Sequence, residues 1–286
     1  MVEYHQNMPL DVILSIVIVN WNSRKDTLDC LHSIFNIPDY RNIKTKTEII
    51  LIDNNSVDGS VEEIQEKYPN VILIENKTNA GYAPAANEGM KIAKGKYVLL
   101  LGNDTELTDG SLVNCINFLE NNSQAGAVGA KLLFPDGRLQ GNCKKFPTLK
   151  NAFYTYLSLD RLNRDYDMAS FKYDEQLKVD QIATTFLMIR NEILQRINFF
   201  DTQYKILYND VDLCKKIYNE GYEIYFIPDA VVYHHGSHST QKAGFEVRKI
   251  MYMDIFRYYK NNFGFRAYFL LPVLFIRFLI VLIANK

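Results

Sequence analysis

The sequence predicts an α/β fold, a doubly wound and mostly parallel sheet that ends in an apolar C-terminal helix. Three observations predict it. Short apolar runs recur (LSIVIVN, EIILID, VILIE, KYVLLL), too short for helices and too uniformly apolar for strands with one wet face. Segments with helical spacing and helix-start signals separate them. A near-continuous apolar run, AYFLLPVLFIRFLIVLIA, occupies residues 267–284.

Residues 14–20 form the first buried strand. Ser23 stands three residues before Asp26, at capping-box spacing, and Leu28, Leu31 and Ile34 mark one helical face. Residues 48–53 are the second strand. Asp58-Gly59 makes a turn, and Ser60 with Glu63 repeats the capping-box spacing. A third strand over 71–75, a helix over 83–93, a fourth strand over 96–101, a helix containing 112–119 and a fifth strand over 128–134 follow. This alternation implies right-handed crossovers. Residues 141–179, rich in Tyr, Asn and Lys, read as loops and short helices covering the sheet. Beyond them come a strand over 181–190, a helix from Asn191, a helix over 212–218, two short strands over 223–227 and 230–234, and a helical segment over 246–261. Residues 1–263 are therefore expected to form one domain. Residues 264–286 are expected to form an apolar, membrane-associating helix.

Composition narrows the function. The 286 residues are 48% hydrophobic and 23% charged with a net charge of −1, which supplies no basic stripe for nucleic acid. The four cysteines are scattered without metal-like spacing and read as reduced core thiols of a cytoplasmic protein. The opening MVEYHQNMPLD lacks the basic flank and apolar run of a signal peptide. In the tail, Pro272 and Arg277 interrupt the apolar run, and Lys260, Arg266 and Lys286 flank it. A central Arg is costly in a full span, so an interfacial helix at the inner face of the membrane is the expectation, with a buried helix as the alternative.

In open parallel sheets ligands sit beyond the carboxyl ends of the strands. Asn20, Trp21 and Asn22 follow the first strand; Asp53, Asn54 and Asn55 follow the second; Gly102, Asn103 and Asp104 follow the fourth. The turn VNWNS is not glycine-rich, which argues against a dinucleotide site. A carboxylate at Asp53 suits a ribose hydroxyl or a base N–H, and equally suits a turn. Asp104 suits a hard divalent cation, Mn²⁺ or Mg²⁺, which takes most of its ligands from phosphate and water; a cap or turn is the alternative. Asp210, in Asn209-Asp210-Val211-Asp212, suits a general base with Asp212 orienting its neighbours, and equally a helix cap. His234, His235 and His238 are three of the five histidines. No thiolates accompany them, which disfavours zinc. His234 suits a divalent site shared with Asp104 and a diphosphate, whereas His235 and His238 read as structural.

In order, LSIVIVNWNS, IILIDNNSVDGS, ENKTNAGYAPAANEGM, YVLLLGNDTEL, NDVDLCKKI and VVYHHGSHST resemble motifs of family 2 of the inverting glycosyltransferases, of GT-A fold, and within it the rhamnosyltransferase-like branch. The resemblance runs from about residue 14 to about 264, and it implies a nucleotide-sugar half over about 12–135 and an acceptor half over about 136–263. It implies that Asp53 contacts the donor base, with Asn20 and Asn22 lining that pocket. Asn79, Gly81 and Asn87 would border the donor, and Asn103 would join the donor-binding set. Asp104 would hold the metal with His234 on the diphosphate side, and Asp210 would deprotonate the acceptor. The implied reaction moves a single rhamnose or other hexose from a dTDP- or UDP-sugar, with inversion, onto a saccharide or lipid-linked acceptor in cell-surface polysaccharide synthesis. Two positions depart from the family pattern: Gly102 stands where Asp or Asn is frequent, and Asn209 where Glu is usual. They keep open a catalytically impaired nucleotide-sugar-binding protein. A nucleotidyltransferase, the other alternative, would need a glycine-rich basic loop after the first strand. Trp21 is the only tryptophan, so the Gln-x-x-Arg-Trp motif of processive members is absent and single-sugar transfer is expected.

Overall fold

The computed structural model describes residues 12–236 and 245–284; MVEYHQNMPLD, His238, Ser239-Thr240 and Lys286 lie outside the described residues. The first half runs β1 (Leu14–Asn20), α1 (Arg24–Asn36), α2 (Pro38–Ile43), β2 (Thr47–Asp53), α3 (Ser60–Lys67), β3 (Ile72–Glu75), α4 (Tyr82–Ile92) and β4 (Tyr97–Leu101). β1 pairs in parallel with β2 and β4, and β2 with β3, so Asn20 lies opposite Asp53 and Ile18 opposite Leu101. Alternate residues of β1 enter opposite cores. Ile16 and Ile18 pack with Leu31 and Ile34 of α1, while Val17 packs with Ala86 and Met90 of α4. Two covered faces are why the strands read as unbroken apolar runs.

The second half adds β5 (Thr105–Leu107), α5 (Ser111–Asn121), β6 (Ala125–Leu133), β7 (Leu139–Gln140), β8 (Cys143–Lys144), α6 (Leu149–Tyr156), β9 (Leu177–Val179), β10 (Gln181–Ile182), β11 (Phe186–Arg190), α7 (Asn191–Ile197), α8 (Asn209–Asn219), β12 (Glu223–His234), α9 (Phe245–Phe263) and α10 (Leu271–Ala284). Both halves share one sheet of order β3-β2-β1-β4-β11-β6-β12-β5, with β7 on β6 and β9 on β12. β11 runs antiparallel between β4 and β6, and β12 lies parallel to β6. All four cysteines are free and buried.

Several local expectations are corrected. The strand expected over 181–190 splits, because β10 leaves to pair with β8 and Thr185 instead receives the N–H of Gly102 at 2.9 Å. The two strands expected over 223–234 are one strand with a register shift between Ile227 and Val231. Pro228 lacks an N–H for the ladder, and the Asp229 carbonyl turns aside to accept from the Asn114 amide at 2.9 Å. Neither expected capping box forms at α1 or α3. Asp58 serves both helices, accepting the N–H of Arg24 at 2.8 Å and of Ser60 at 3.1 Å. Burial pushes the Asp58 carboxyl up, but donors from Ser60 and Arg24 outweigh it and hold the group below its ordinary range.

The apolar C-terminal helix expected over 264–286 is present as α10, which begins only after a 3₁₀ segment and makes a hairpin with α9. Gly264 takes φ 58°, a 3₁₀ segment spans Gly264–Leu270, and α10 runs back along α9. Phe278 lies 5.2 Å from Tyr252 and 5.8 Å from Phe245, and Tyr268 lies 5.4 Å from Phe256. Ala267, Leu270 and Leu274 are buried against Tyr258 and Tyr259, whereas Phe265 (74%), Phe269 (69%), Phe275 (63%) and Ile276 (56%) face outward. By length and composition Phe245–Ile280 is sufficient to cross a membrane, but the bend divides it. The 14 residues of α10 reach only about 21 Å, short of a hydrocarbon core of about 30 Å. Arg277 does not point to water alone; it donates to Ser158 Oγ at 3.0 Å.

Gly95 tests the packing at the start of β4. A Cβ there would sit 2.5 Å from the Ser15 nitrogen and 2.7 Å from the Tyr97 carbonyl oxygen, both backbone atoms. Gly95→Ala is expected to cost about 1–3 kcal/mol, seen in thermal denaturation as a Tm several degrees lower.

Candidate active site

The carboxyl ends of β1, β2 and β4 are joined by one buried amide. Asn20, with no exposed surface, donates from Nδ2 to Asp53 Oδ1 at 2.7 Å and Ser60 Oγ at 2.8 Å. Its Oδ1 accepts from Thr27 Oγ1 at 2.8 Å, and Thr27 accepts from the Asn103 amide at 2.9 Å. Asp53 Oδ2 accepts the Ser56 N–H at 2.8 Å. Asn22 takes a left-handed φ of 48° and accepts the Val57 N–H at 2.8 Å, closing the adjoining loop. Asn54 donates to the Gly81 carbonyl at 3.2 Å, and Asn79 Oδ1 accepts the Gly81 N–H at 2.9 Å. Asn20, Asn22, Asp53, Asn79, Gly81 and Asn103 thus gather on one edge of the sheet.

Asn87 departs from the expected donor set. Its amide donates to the Phe200 carbonyl and accepts the Phe200 N–H, both at 3.0 Å, which ties α4 to the loop before α8. Both ends of the side chain are committed to backbone, so it is a structural clamp.

The strand pairing β12–β5 sets His234 opposite Thr105. His234 Nε2 lies 3.3 Å from Asp104 Oδ2, and Nδ1 lies 2.8 Å from Gln140 Oε1. The imidazole thus sits between the Gln140 side chain and the Asp104 carboxylate, with Nε2 on the carboxylate side. A ring nitrogen beside a carboxylate oxygen suits a shared cation, and oxygen with imidazole nitrogen is an acceptable set for Mn²⁺. Asp104 and His234 therefore fit a divalent ion that takes its other ligands from elsewhere. Among the described residues no group of three or more His, Cys, Asp or Glu forms a closed site. His235 pairs with Glu106 at 2.7 Å.

Asp210 lies in the first turn of α8, behind Tyr208 at φ 67°. Its Oδ1 accepts the Val211 N–H at 2.8 Å. Burial pushes its carboxyl above the ordinary 3.8, against the pull of the Val211 N–H and the charge of Lys144. Burial likewise raises Asp212, opposed by Lys216 at 3.3 Å. Asp210 shares its surroundings with Tyr82, the first residue of α4: burial pushes that phenol up to about 12, a hydrogen bond with Thr184 opposes this, and the Asp210 charge adds to it. Tyr82 follows Gly81, and Thr184 precedes Thr185, the partner of Gly102. Asp210 thus lies near Tyr82, the residue that follows Gly81. Thr27, Ser60, Tyr82 and Gln140 complete the constellation; Gln140 carried no sequence signal because it reaches His234 across 94 residues.

A family model described as glycosyl transferase family 2 matches residues 15–196. The chain belongs to glycosyl transferase family 2. It is similar to the N-acetylglucosaminyl-diphospho-decaprenol L-rhamnosyltransferase of Mycobacterium tuberculosis, 25% identical over 217 residues that cover 67% of each chain. It is also similar to the poly(ribitol-phosphate) beta-glucosyltransferase of Bacillus spizizenii, 36% identical over 132 residues, 44% of this chain and 20% of that protein. Among solved structures, the Pyrobaculum calidifontis mannosyltransferase PcManGT with GDP-Man and Mn²⁺ superposes with a TM-score of 0.58 at 19% identity, covering 87% of this chain and 63% of that one. S. aureus TarS 1-349 with UDP-GlcNAc gives 0.57 at 18% identity, covering 85% and 65%. The fold of this glycosyltransferase is GT-A.

The upward shift of the Asp210 carboxyl has a consequence for stability. A carboxyl whose folded pKa lies above its unfolded value contributes stability fully present below the unfolded value and lost as pH rises through the folded one. Asp210→Asn is therefore expected to stabilise this glycosyltransferase at pH 7 by about 0.5–2 kcal/mol. The gain should vanish toward pH 4 when Tm is measured across a pH series.

Proposed function

We propose that this family 2 glycosyltransferase moves one sugar from a pyrimidine nucleoside diphosphate, dTDP or UDP, to a hydroxyl of a lipid-linked saccharide, with inversion, in bacterial cell-wall polysaccharide synthesis. The observation that carries the reading is the pairing of Asp104 with His234 at the strand edge that also bears the Asn20–Asp53 network.

Asp53 and its neighbours hold the nucleoside. Asp104 and His234 would hold a Mn²⁺ or Mg²⁺ ion, which when bound would offset charge on the departing diphosphate. Asp210 takes the proton of the acceptor hydroxyl as its oxygen bonds to the anomeric carbon. The bond from that carbon to the diphosphate oxygen breaks, and its electron pair leaves with the nucleotide. Burial makes Asp210 the stronger base, and a base near its working pH transfers protons best. Asp212, neutralised by Lys216, orients the turn.

The acceptor follows from two supports. The rhamnosyltransferase relative acts, by its name, on a diphospho-decaprenol-linked sugar. The outward aromatic face of the α9–α10 hairpin suits the headgroup boundary of a membrane, at its cytoplasmic face, where a lipid-linked hydroxyl would lie.

Asp210→Asn is expected to lower transfer about 10²- to 10⁴-fold while a thermal-shift titration with UDP or dTDP and Mn²⁺ stays unchanged. Near-normal transfer would overturn the base assignment. Asp104→Ala is expected to abolish the Mn²⁺-dependent part of the shift produced by a panel of UDP- and dTDP-sugars, and the same panel identifies the donor. Slow Mn²⁺-dependent hydrolysis of that donor by the wild-type chain separates an active enzyme from an impaired binding protein. Truncation before Gly264 should release the protein from anionic vesicles in a flotation assay; retention would place membrane contact elsewhere.

A further inference from the structure

We propose that Asp254, on α9, is a positioning residue that sets the approach to α8 and through it the orientation of Asp210; the proposal rests on the reading of Asp210 as the base. Asp254 is fully buried, and its Oδ2 accepts three consecutive backbone N–H groups, from Lys205 at 2.9 Å, Ile206 at 2.7 Å and Leu207 at 3.1 Å. Its Oδ1 receives Arg257 Nη1 at 3.0 Å, and the same guanidinium nitrogen donates to the Gln203 carbonyl. Successive N–H groups turned onto one anion form a nest, and the fit fixes the backbone that supplies them.

That backbone leads straight into the catalytic turn. Leu207 is followed by Tyr208, the left-handed N-cap residue of α8, and then by Asn209 and Asp210. A bulky residue at positive φ is disfavoured by about 1–2 kcal/mol, so the turn needs a grip from outside. α9 supplies it twice from one face. Four residues beyond Asp254, Tyr258 stacks on the Tyr208 ring at 4.5 Å, and Tyr259 meets it edge-on at 6.0 Å. Tyr156 Oη lies 3.4 Å from Tyr208 Oη on the remaining side. The carboxylate holds three residues before the cap, the ring holds the cap, and Asp210 is two residues on. Displacing a reacting group by about 1 Å can cost 100-fold in rate without weakening substrate binding. The Lys205 carbonyl lies beside Gly81, but the Asn20–Asp53 network is held by its own bonds, so loss of the nest should fall on kcat far more than on donor affinity. α9 also packs against the outward-facing tail segment, so one helix touches both the apolar tail and the turn that carries Asp210.

The test uses the full chain. Asp254→Asn keeps the shape but removes the charge. It is expected to lower kcat for transfer, or for Mn²⁺-dependent donor hydrolysis, at least tenfold. KM for the donor and the shift with UDP or dTDP and Mn²⁺ should stay within twofold, and the amides of residues 205–207 should lose protection in hydrogen exchange. Asp254→Glu, which retains charge but moves the oxygens by one methylene, should not rescue kcat. Arg257→Gln leaves the three N–H bonds in place and should keep more than half of kcat. Unchanged kcat in folded Asp254→Asn would overturn the proposal, as would an equal loss of kcat and donor binding, which marks a purely structural role. If Asp254→Asn does not fold, Asp254→Glu takes its place, and a normal kcat there is equally fatal. Asp210→Asn run alongside separates the two readings: activity in that variant sinks the base assignment, whereas an inactive Asp210→Asn with a normal Asp254→Asn sinks only this proposal.

Discussion

Everything at the donor edge depends on the Asn20 side chain. A carboxylate as buried as Asp53 is tolerated only with hydrogen-bond donors in reach, and the Asn20 amide is the nearest, at 2.7 Å. The same amide reaches Ser60 at the start of α3 and accepts from Thr27 in α1, which accepts in turn from Asn103 after β4. Three strand ends and two helices are thereby fixed by an uninterrupted relay, Asn103 to Thr27 to Asn20 to Asp53. Removing the amide would leave Asp53 short of a donor and Thr27 short of an acceptor, each at the cost of a buried unpaired polar group. A pocket that must hold a nucleotide through a change at the far end of the diphosphate benefits from such rigidity.

The acceptor side is built on a different principle. Antiparallel β11 enters between β4 and β6 and carries Thr184 and Thr185 to the β4 end. The bulge in β12 lets one strand pair with β6 along most of its length and still deliver His234 against β5. Side chains here come from distant parts of the chain and meet through long-range pairing. The Asp254 nest and the stacked tyrosines do for Asp210 what the Asn20 relay does for Asp53: they convert a loop into a fixed support.

That contrast governs how much was legible in the sequence. β1, β2 and β4 declared themselves because burial on both faces removes polar residues, and the residues just past their ends are the site. Register then followed from parallel pairing. The helix caps misled because Ser23 and Ser60 have the right local spacing while the actual cap, Asp58, reaches Arg24 from 34 residues away. Local pattern carries no trace of such a bond. Asn87 sits in a segment that resembles donor-binding motifs, yet its partner is Phe200, 113 residues on. In the tail, the break at Gly264 was legible, as befits a helix C-terminus with positive φ. Uniform apolarity hid the 3₁₀ segment over Gly264–Leu270 that delays the last helix.

The two departures from the family pattern become intelligible on the same physical terms. A Cβ at Gly102 would lie 3.1 Å from Asp104 Oδ1, so the glycine keeps space beside the carboxylate that faces His234. A larger residue there would press on the group proposed to hold the ion. At Asn209 the argument is electrostatic. Asp210 and Asp212 already share one turn in which burial raises both, opposed at Asp210 by the Val211 N–H and the charge of Lys144 and at Asp212 by Lys216. A third carboxylate would add like charge to a desolvated turn and drive the base further toward its protonated form. The neutral amide avoids that cost. Its Oδ1, buried and without a hydrogen-bond partner, leaves one unmet polar group in place of a third anion. An uncompensated charge is the costlier of the two to bury, which makes Asn209 consistent with a working base at Asp210 rather than with its loss.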